Sequence, residues 1–179
     1  LPAGECNYIM GNPPFVGYSL QSKEQKADML DIYVDEKGKS YKTAGKIDYV
    51  AGWYFKAAEY IQDTGVRTAF VSTNSITQGE QVAAVWKPLY DRFGIHIDFA
   101  WRTFKWDSES TEKAAVHVVI IGFSNEKTTS EYRLYSTPTQ SNICENISPY
   151  VVDAPNMFIE ARTKSLCKVH VMVVGNRPA

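Results

Sequence analysis

The sequence predicts an α/β domain whose mainly parallel sheet is completed by an antiparallel hairpin. Short apolar runs at 6–10 and 66–72 are separated by helix-forming stretches. Strands that alternate with helices are normally laid parallel, with the helices as crossovers. Two strongly β-prone runs follow, at 95–104 and 114–124, joined by a polar, acidic connector at 105–113. That connector is too short for a crossover helix, so the two runs should pair antiparallel.

Taken in order, 6–10 is an apolar run stopped by Gly11 and two prolines, which predicts a buried strand that ends abruptly. Residues 22–32 carry helix formers at amphipathic spacing. Asp48 is placed to cap a helix through Trp53, Phe55, Ala58 and Ile61 that stops at Gly65. A strand at 66–72 leads to Thr77-Gln78-Gly79-Glu80, which has the form of a capping box. The helix it would open runs to about Arg92 and should bend near Pro88. After the hairpin, 131–136 can add one more strand. Beyond about Ser141 the pattern weakens, broken by Pro149 and Pro155. The expected division is residues 1–125 as one unit and 126–179 as an edge strand and linker.

Composition narrows the function classes. With 179 residues, 44% hydrophobic and 22% charged, the chain can bury a real core without a disulfide or metal staple. Cys6, Cys144 and Cys167 are scattered and odd in number, and no Cys/His set has zinc spacing, so a reducing compartment and no metal are expected. His96, His117 and His170 alternate with apolar residues and read as sheet residues. No apolar run approaches the roughly 18 residues of a membrane span, nothing resembles a signal peptide, and a cytoplasmic location is expected. A net charge of −1 does not advertise nucleic-acid binding. Between positions 37 and 46, however, Lys37, Lys39, Lys42 and Lys46 occur with no acid, beside Gly38 and Gly45. A solvated flexible loop and a phosphate-contacting loop are both open readings. The chain opens on Leu1 rather than Met and closes at Ala179 in what reads as the middle of a segment, so it is expected to be a piece of a longer protein.

The chemistry concentrates in Asn12-Pro13-Pro14-Phe15, directly after the first strand. The lone pair of an exocyclic amine on a base is delocalised into the ring. Alkylating that nitrogen requires the pair to be localised and aimed. Acceptors on both N–H bonds would do this and would hold the developing positive charge. Asn12 offers a side-chain oxygen and Pro13 a backbone carbonyl. Pro14 biases Pro13 toward an extended conformation and lacks an N–H, which stiffens the acceptor. Phe15 supplies a flat face for a base extruded from a duplex. Ligands of open α/β sheets sit outside the carboxyl ends of strands, where Asn12 falls. The bland alternative is a proline-stiffened turn between strand and helix.

The tetrapeptide and its surroundings resemble motif IV of the gamma-class adenine-N6 DNA methyltransferases. Wider stretches are similar to the methyltransferase domain of type IIL or IIG restriction-modification enzymes: Tyr8 to Gly17, Lys46 to Tyr54, Val71 to Glu80, Thr103-Phe-Lys-Trp106 and Val151 to Pro155. The resemblance implies the C-terminal half of a class I (Rossmann-like) methyltransferase sheet with its terminal antiparallel hairpin. A linker toward a target-recognition domain would follow. It also implies S-adenosyl-L-methionine as cofactor and double-stranded DNA as partner. By resemblance Asn12 and Pro13 accept the adenine N6 hydrogens, and Asn12 also borders the cofactor. Phe15 and Phe104 stack on the flipped base, and Trp53 packs on the cofactor adenine. Phe104 as a core aromatic and Trp53 as a core tryptophan are the plain alternatives. Lys39, Lys42 and Lys46 are the candidate DNA-backbone contacts. Ser72 to Asn74 end the next strand facing the same crevice, although a loop leading into a helix explains them equally well.

The sequence departs from that class in one respect. The class builds its cofactor site on a glycine-rich loop after its first strand and an acidic residue ending its second, and no Gly-x-Gly occurs here. Most of the cofactor pocket is therefore expected in an N-terminal half outside this chain, and the chain alone is expected to be inactive. The same loop serves protein-glutamine and RNA-guanine amino-methyltransferases. Those commonly prefer tyrosine at the fourth position and lack the 72–80 segment. A zinc deaminase is excluded by its absent ligand signature, and a non-catalytic DNA-specificity module would need a basic groove.

Overall fold

The computed structural model describes residues 1–106, 116–126 and 131–160. The connector after Trp106, Cys167, His170 and the chain beyond Glu160 lie outside the described residues. Strand β1 (Tyr8–Gly11) leads through the tetrapeptide to helix α1 (Lys23–Ile32) and helix α2 (Val50–Tyr60). Strand β2 (Arg67–Thr73), a 3-10 turn at Asn74–Thr77 and helix α3 (Gly79–Phe93) follow. The chain then forms β3 (His96–Trp106), β4 (Val116–Ser124), β5 (Tyr132–Thr137), β6 (Gln140–Cys144), β7 (Ile147–Ser148) and β8 (Val152–Asp153).

The main sheet has six strands in the order β1-β2-β4-β3-β5-β6. The predicted hairpin of β3 and β4 is present, but its second strand is inserted between β2 and β3. Pairing is parallel for β1 with β2 and for β3 with β5, and antiparallel for the other neighbours. The expected mainly parallel sheet with an antiparallel margin is thus corrected to a mixed sheet with the hairpin in its interior. Neighbour choice across a sheet is a non-local decision, which strand periodicity does not encode. β5 fulfils the expected further strand. With β6 it extends the same sheet, and Cys144, Ile147 and Val151 join its core.

Helices α2 and α3 cover one face of the sheet. Tyr54, Phe55, Trp86 and Leu89 pack there with Phe70, Ile121 and Phe123. Three large buried side chains with polar ends find partners inside this core. Tyr33 Oη donates to the Val85 carbonyl at 2.8 Å, Trp86 Nε1 to the Ile76 carbonyl at 2.8 Å, and Tyr54 Oη lies 2.7 Å from Ser72 Oγ. Burying these groups unpaired would cost about 1–3 kcal/mol each. The opposite face carries a strip of rings. Trp101 stacks on Tyr135 with centroids 5.4 Å apart, and Phe104 lies 6.1 Å from Trp101 and 6.3 Å from Trp106. A bulge lets the four residues of β3 from Trp101 to Phe104 face three of β4, from Ile120 to Val118, which brings Phe104 to the same face as Trp101.

Several local expectations change. The predicted buried strand at 6–10 is an exposed strand at Tyr8–Gly11, where Tyr8 is 67% and Met10 80% exposed. An apolar run shows that cover is needed, not where the cover comes from. The capping box belongs to α1, not α3: Ser22 Oγ accepts from the Gln25 N–H at 3.2 Å, and Gln25 Oε1 accepts from the Ser22 N–H at 3.0 Å. At α3 the N-cap is Gln78, without a side-chain bond, because Thr77 Oγ1 donates back to Asn74 O at 2.7 Å. Helix α3 continues through Pro88 to a left-handed Gly94 with φ 61°. Helix α2 ends at Tyr60, and Asp63, not Gly65, takes the positive φ of 58°.

The lysine segment is ordered rather than loose at its start. Val34 and Ser40 pair across a turn, and Asp35 Oδ1 accepts from the backbone N–H of Lys37 and of Lys39, each at 2.9 Å. Gly38 occupies the left-handed position of that turn with φ 74°.

Candidate active site

β1 stops at Gly11, where a Cβ would stand 3.3 Å from the Phe70 ring. The absent side chain lets the strand end lie close on β2 before the two prolines turn the chain away. Beyond it Asn12 and Pro14 are exposed, Pro13 is buried and Phe15 is half-buried. The Asn12 amide and the Phe15 ring are thus displayed from a stiff stem.

The segment just after Phe15 is tied down by the start of α2. The Tyr49 N–H donates to the Val16 carbonyl at 2.9 Å, and the Tyr18 N–H donates to Asp48 Oδ1 at 3.0 Å. Gln21 Nε2 adds a buried bond to the Ile47 carbonyl at 2.9 Å. Asp48 is itself buried, with 7% of its surface exposed. Gln81 Nε2 donates to its Oδ1 at 3.0 Å, the Asp48 N–H donates back to Gln81 Oε1 at 3.2 Å, and the Ser75 hydroxyl donates to Oδ2. Ser75 Oγ also lies 2.9 Å from Thr73 Oγ1. One carboxylate therefore joins the loop after β1, the turn after β2 and the starts of α2 and α3.

Sequence reasoning assigned Asp48 a helix cap, and that is corrected. The N-cap of α2 is Tyr49, with no side-chain cap bond, and the Asp48 oxygens turn toward the loops instead. Ser75, inside the resembling stretch 71–80, and Gln81, just past it, were not singled out as site residues. Their only signal was position, one in the turn that ends β2 and one in the first turn of α3.

Ser72 is buried behind this junction, bonded to Tyr54 of α2. Burial pushes the Tyr54 phenol well above its ordinary pKa, against a smaller lowering by Ser72, so the pair remains a neutral hydrogen bond. Thr73 and Asn74 enter the 3-10 turn, which is the loop reading of those residues.

Phe104 reaches the same end of the sheet through the strand register. Gly11 stands opposite Phe70, Thr73 opposite Val118, and Val118 opposite Phe104. Phe104 is half-buried between Trp101 and Trp106, so it is not a fully enclosed core ring. Trp53 is 48% exposed, which removes the plain core alternative and leaves an indole face available.

Lys42 and Lys46 line a cleft of about 560 Å³ with Tyr18, Gln81 and Lys87, and Glu80, Asp91 and Glu160 add acid to its wall. Lys39 stands apart, exposed on the Asp35 turn.

His96, Asp98 and Ser124 form a second polar group, buried at the far end of β3 and β4. The same His96 nitrogen, Nε2, lies 3.0 Å from Asp98 Oδ1 and 3.3 Å from Ser124 Oγ. A nucleophile relay needs the acid and the hydroxyl on different ring nitrogens, so this group is a strand latch.

Comparison with known proteins agrees with the fold. Residues 3–136 match the family described as the DNA-methyltransferase domain of MmeI. DNA methyltransferase A of Bacillus subtilis (strain 168) is 42% identical over 171 residues, covering 96% of this chain and 19% of that protein. A solved structure of the type IIL restriction-modification enzyme MmeI in complex with DNA matches with TM-score 0.85 and 43% identity, covering 94% of this chain and 22% of that one. The chain thus spans well under two thirds of the length of these relatives, and its sheet is that of a Rossmann-like methyltransferase. With a family match over most of its length, and with Asn12-Pro13-Pro14-Phe15 displayed at the end of a sheet strand, the chain belongs to the MmeI DNA-methyltransferase domain family.

Proposed function

We propose that these residues are the base-receiving half of an S-adenosyl-L-methionine-dependent DNA methyltransferase in a restriction-modification enzyme. It would methylate the N6 amine of an adenine flipped out of double-stranded DNA. The observation that carries this reading is the display of Asn12 and Phe15 at the carboxyl end of β1, on a stem pinned by Asp48 and Tyr49. Membership of a DNA-methyltransferase family, and a relative solved in complex with DNA, support it.

In this reading the Asn12 side-chain oxygen and the Pro13 carbonyl accept the two N6 hydrogens. They draw the nitrogen lone pair out of the ring and stabilise the positive charge that develops there. Phe15 holds the face of the extruded base, and Phe104 supplies a second aromatic surface at the same sheet end. The cofactor supplies an electrophilic methyl group on a sulfonium. The residues present fit it in part: Trp53 would offer an exposed indole face for its adenine, and Asn12 stands exposed just past the end of β1.

The remainder of the pocket belongs to an N-terminal half of the parent polypeptide. These residues alone neither bind cofactor nor methylate, which calorimetry with S-adenosyl-L-methionine checks; micromolar binding would refute it. Residues 1–125 are the catalytic half, and 126–179 complete the edge of the same sheet and link it toward a target-recognition domain. Lys39, Lys42 and Lys46 contact the DNA backbone. A cytoplasmic location belongs to the same reading, and no helix of the described residues is long and apolar enough to cross a membrane.

The test is Asn12→Ala in the parent enzyme. Methylation should be lost while DNA affinity is largely retained. Retained methylation would overturn the role of Asn12, and loss of DNA affinity in step with activity would make it a docking residue instead.

A further inference from the structure

We propose that Asp48 is the positioning residue of the catalytic loop, setting the place of Asn12 and Phe15 through a carboxylate shared by three chain segments. The inference rests on the methyltransferase reading above and assigns a role that its motif does not contain.

Asp48 touches none of the reacting groups. Its Oδ1 accepts from the Tyr18 N–H and from Gln81 Nε2, each at 3.0 Å, and its Oδ2 accepts from the Ser75 hydroxyl. Tyr18 lies three residues beyond Phe15, Ser75 in the turn leaving β2, and Gln81 in the first turn of α3. Two loops that leave adjacent parallel strands at the same end are thereby held to a single point.

The chemistry of the group matters. A carboxylate is acceptor-only, and its hydrogen bonds are roughly twice as strong as neutral ones. A buried charge is tolerated only when it is hydrogen-bonded, and three donors meet that demand here. An asparagine in its place has one acceptor oxygen and one donating NH2. Facing the Ser75 hydroxyl, its NH2 can donate to that oxygen, but the acceptor it leaves for Tyr18 and Gln81 is neutral; facing those two donors, it opposes both. The size of the side chain is kept while the charge-assisted bonds that hold the three segments to one point are lost.

The consequence for rate follows from geometry. A misplacement of about 1 Å at a reacting centre can cost about 100-fold. The loss falls on the step that needs Asn12 aligned, not on capture of DNA or cofactor.

The experiment uses the parent enzyme in steady-state methylation, with kcat and KM for DNA and for S-adenosyl-L-methionine measured separately and thermal melting recorded. For Asp48→Asn, kcat should fall about ten- to a hundredfold, with both KM values within about twofold and the melting midpoint little moved. Ser75→Ala, which leaves the carboxylate and two of its donors, should lower kcat less and in the same pattern. If Asp48→Asn does not fold, Ser75→Ala decides alone. An unchanged kcat, a loss that follows the fraction of unfolded protein, or a loss carried by KM would each overturn the proposal. Asn12→Ala is run beside them. Methylation surviving that change would refute the site itself, whereas its loss together with an unaffected Asp48→Asn enzyme would refute only the positioning role.

Discussion

The ring of Phe99 lies on Gly122 of the neighbouring strand, so close that a Cβ at Gly122 would stand 2.1 Å from the ring edge. This close approach begins the aromatic strip on the face opposite α2 and α3. Phe99 meets Tyr135 edge to face at 6.4 Å, and Tyr135 stacks on Trp101. Because Trp101 in turn lies beside Phe104, the bare Cα of Gly122 helps seat the ring proposed above to meet the target base.

Gly122→Ala should therefore destabilise this domain. Forcing one methyl into so tight a space displaces the ring or the strand and costs about 1–3 kcal/mol. Thermal melting of the parent protein, with fluorescence reporting the tryptophans of the strip, checks it. An unchanged midpoint would show that the Phe99 ring can move aside freely.

Lys42 and Lys46 share the cleft that Tyr18 borders, and Lys39 lies on the Asp35 turn. Changing Lys42 and Lys46 to alanine should weaken DNA binding by the parent enzyme on every sequence alike. The slope of log affinity against log salt should become shallower by about 0.9 for each phosphate that is no longer neutralised. Lys39→Ala should have the smaller effect. A slope that does not change would return these lysines to ordinary solvated surface.

The turn at Asp35 carries a pH dependence. The Lys39 backbone N–H first, with the Lys37 backbone N–H and the two lysine charges adding to it, holds the Asp35 carboxyl below its ordinary pKa, against a smaller opposing effect of burial. A group whose pKa is depressed by folding contributes stability above its unfolded pKa, about 4 for aspartate. That contribution is lost as pH falls through the lower folded value. The turn should therefore loosen only on the acid side of the usual carboxylate range. Amide NMR shifts of Lys37 and Lys39, followed downward in pH, check this. Asp35→Asn should remove the transition, and an identical titration in that variant would refute the assignment.

Local pattern was enough for much of the fold. Ser22 to Ile32 reads as a helix because its formers lie within a few residues of one another, and α1 forms there, with Ser22 outside it as a cap that the formers alone did not signal. The β-prone runs around Phe99 and Ile120 are strands because branched and aromatic side chains suit a pleated surface. The same logic failed where two local answers compete. Thr77 could cap α3 or close the preceding turn, and the turn took it. Gly65 could end α2, but the chain had already turned at Asp63. For β1, the apolar run was real, yet Ile9 packs against the core while Tyr8 and Met10, on the alternate face of the strand, remain exposed.

The sequence by itself determined the strand and helix types and the placing of Asn12-Pro13-Pro14-Phe15 just past the end of the first strand. Periodicity and proline stereochemistry act over a handful of neighbouring residues. Only the tertiary structure decided that β4 lies between β2 and β3, and that Asp48 faces the loops rather than capping its helix. Its partners Tyr18, Ser75 and Gln81 stand 30, 27 and 33 residues away along the chain. A carboxylate beside a helix start has a local use in every sequence, and the packed fold alone brings those three donors within reach.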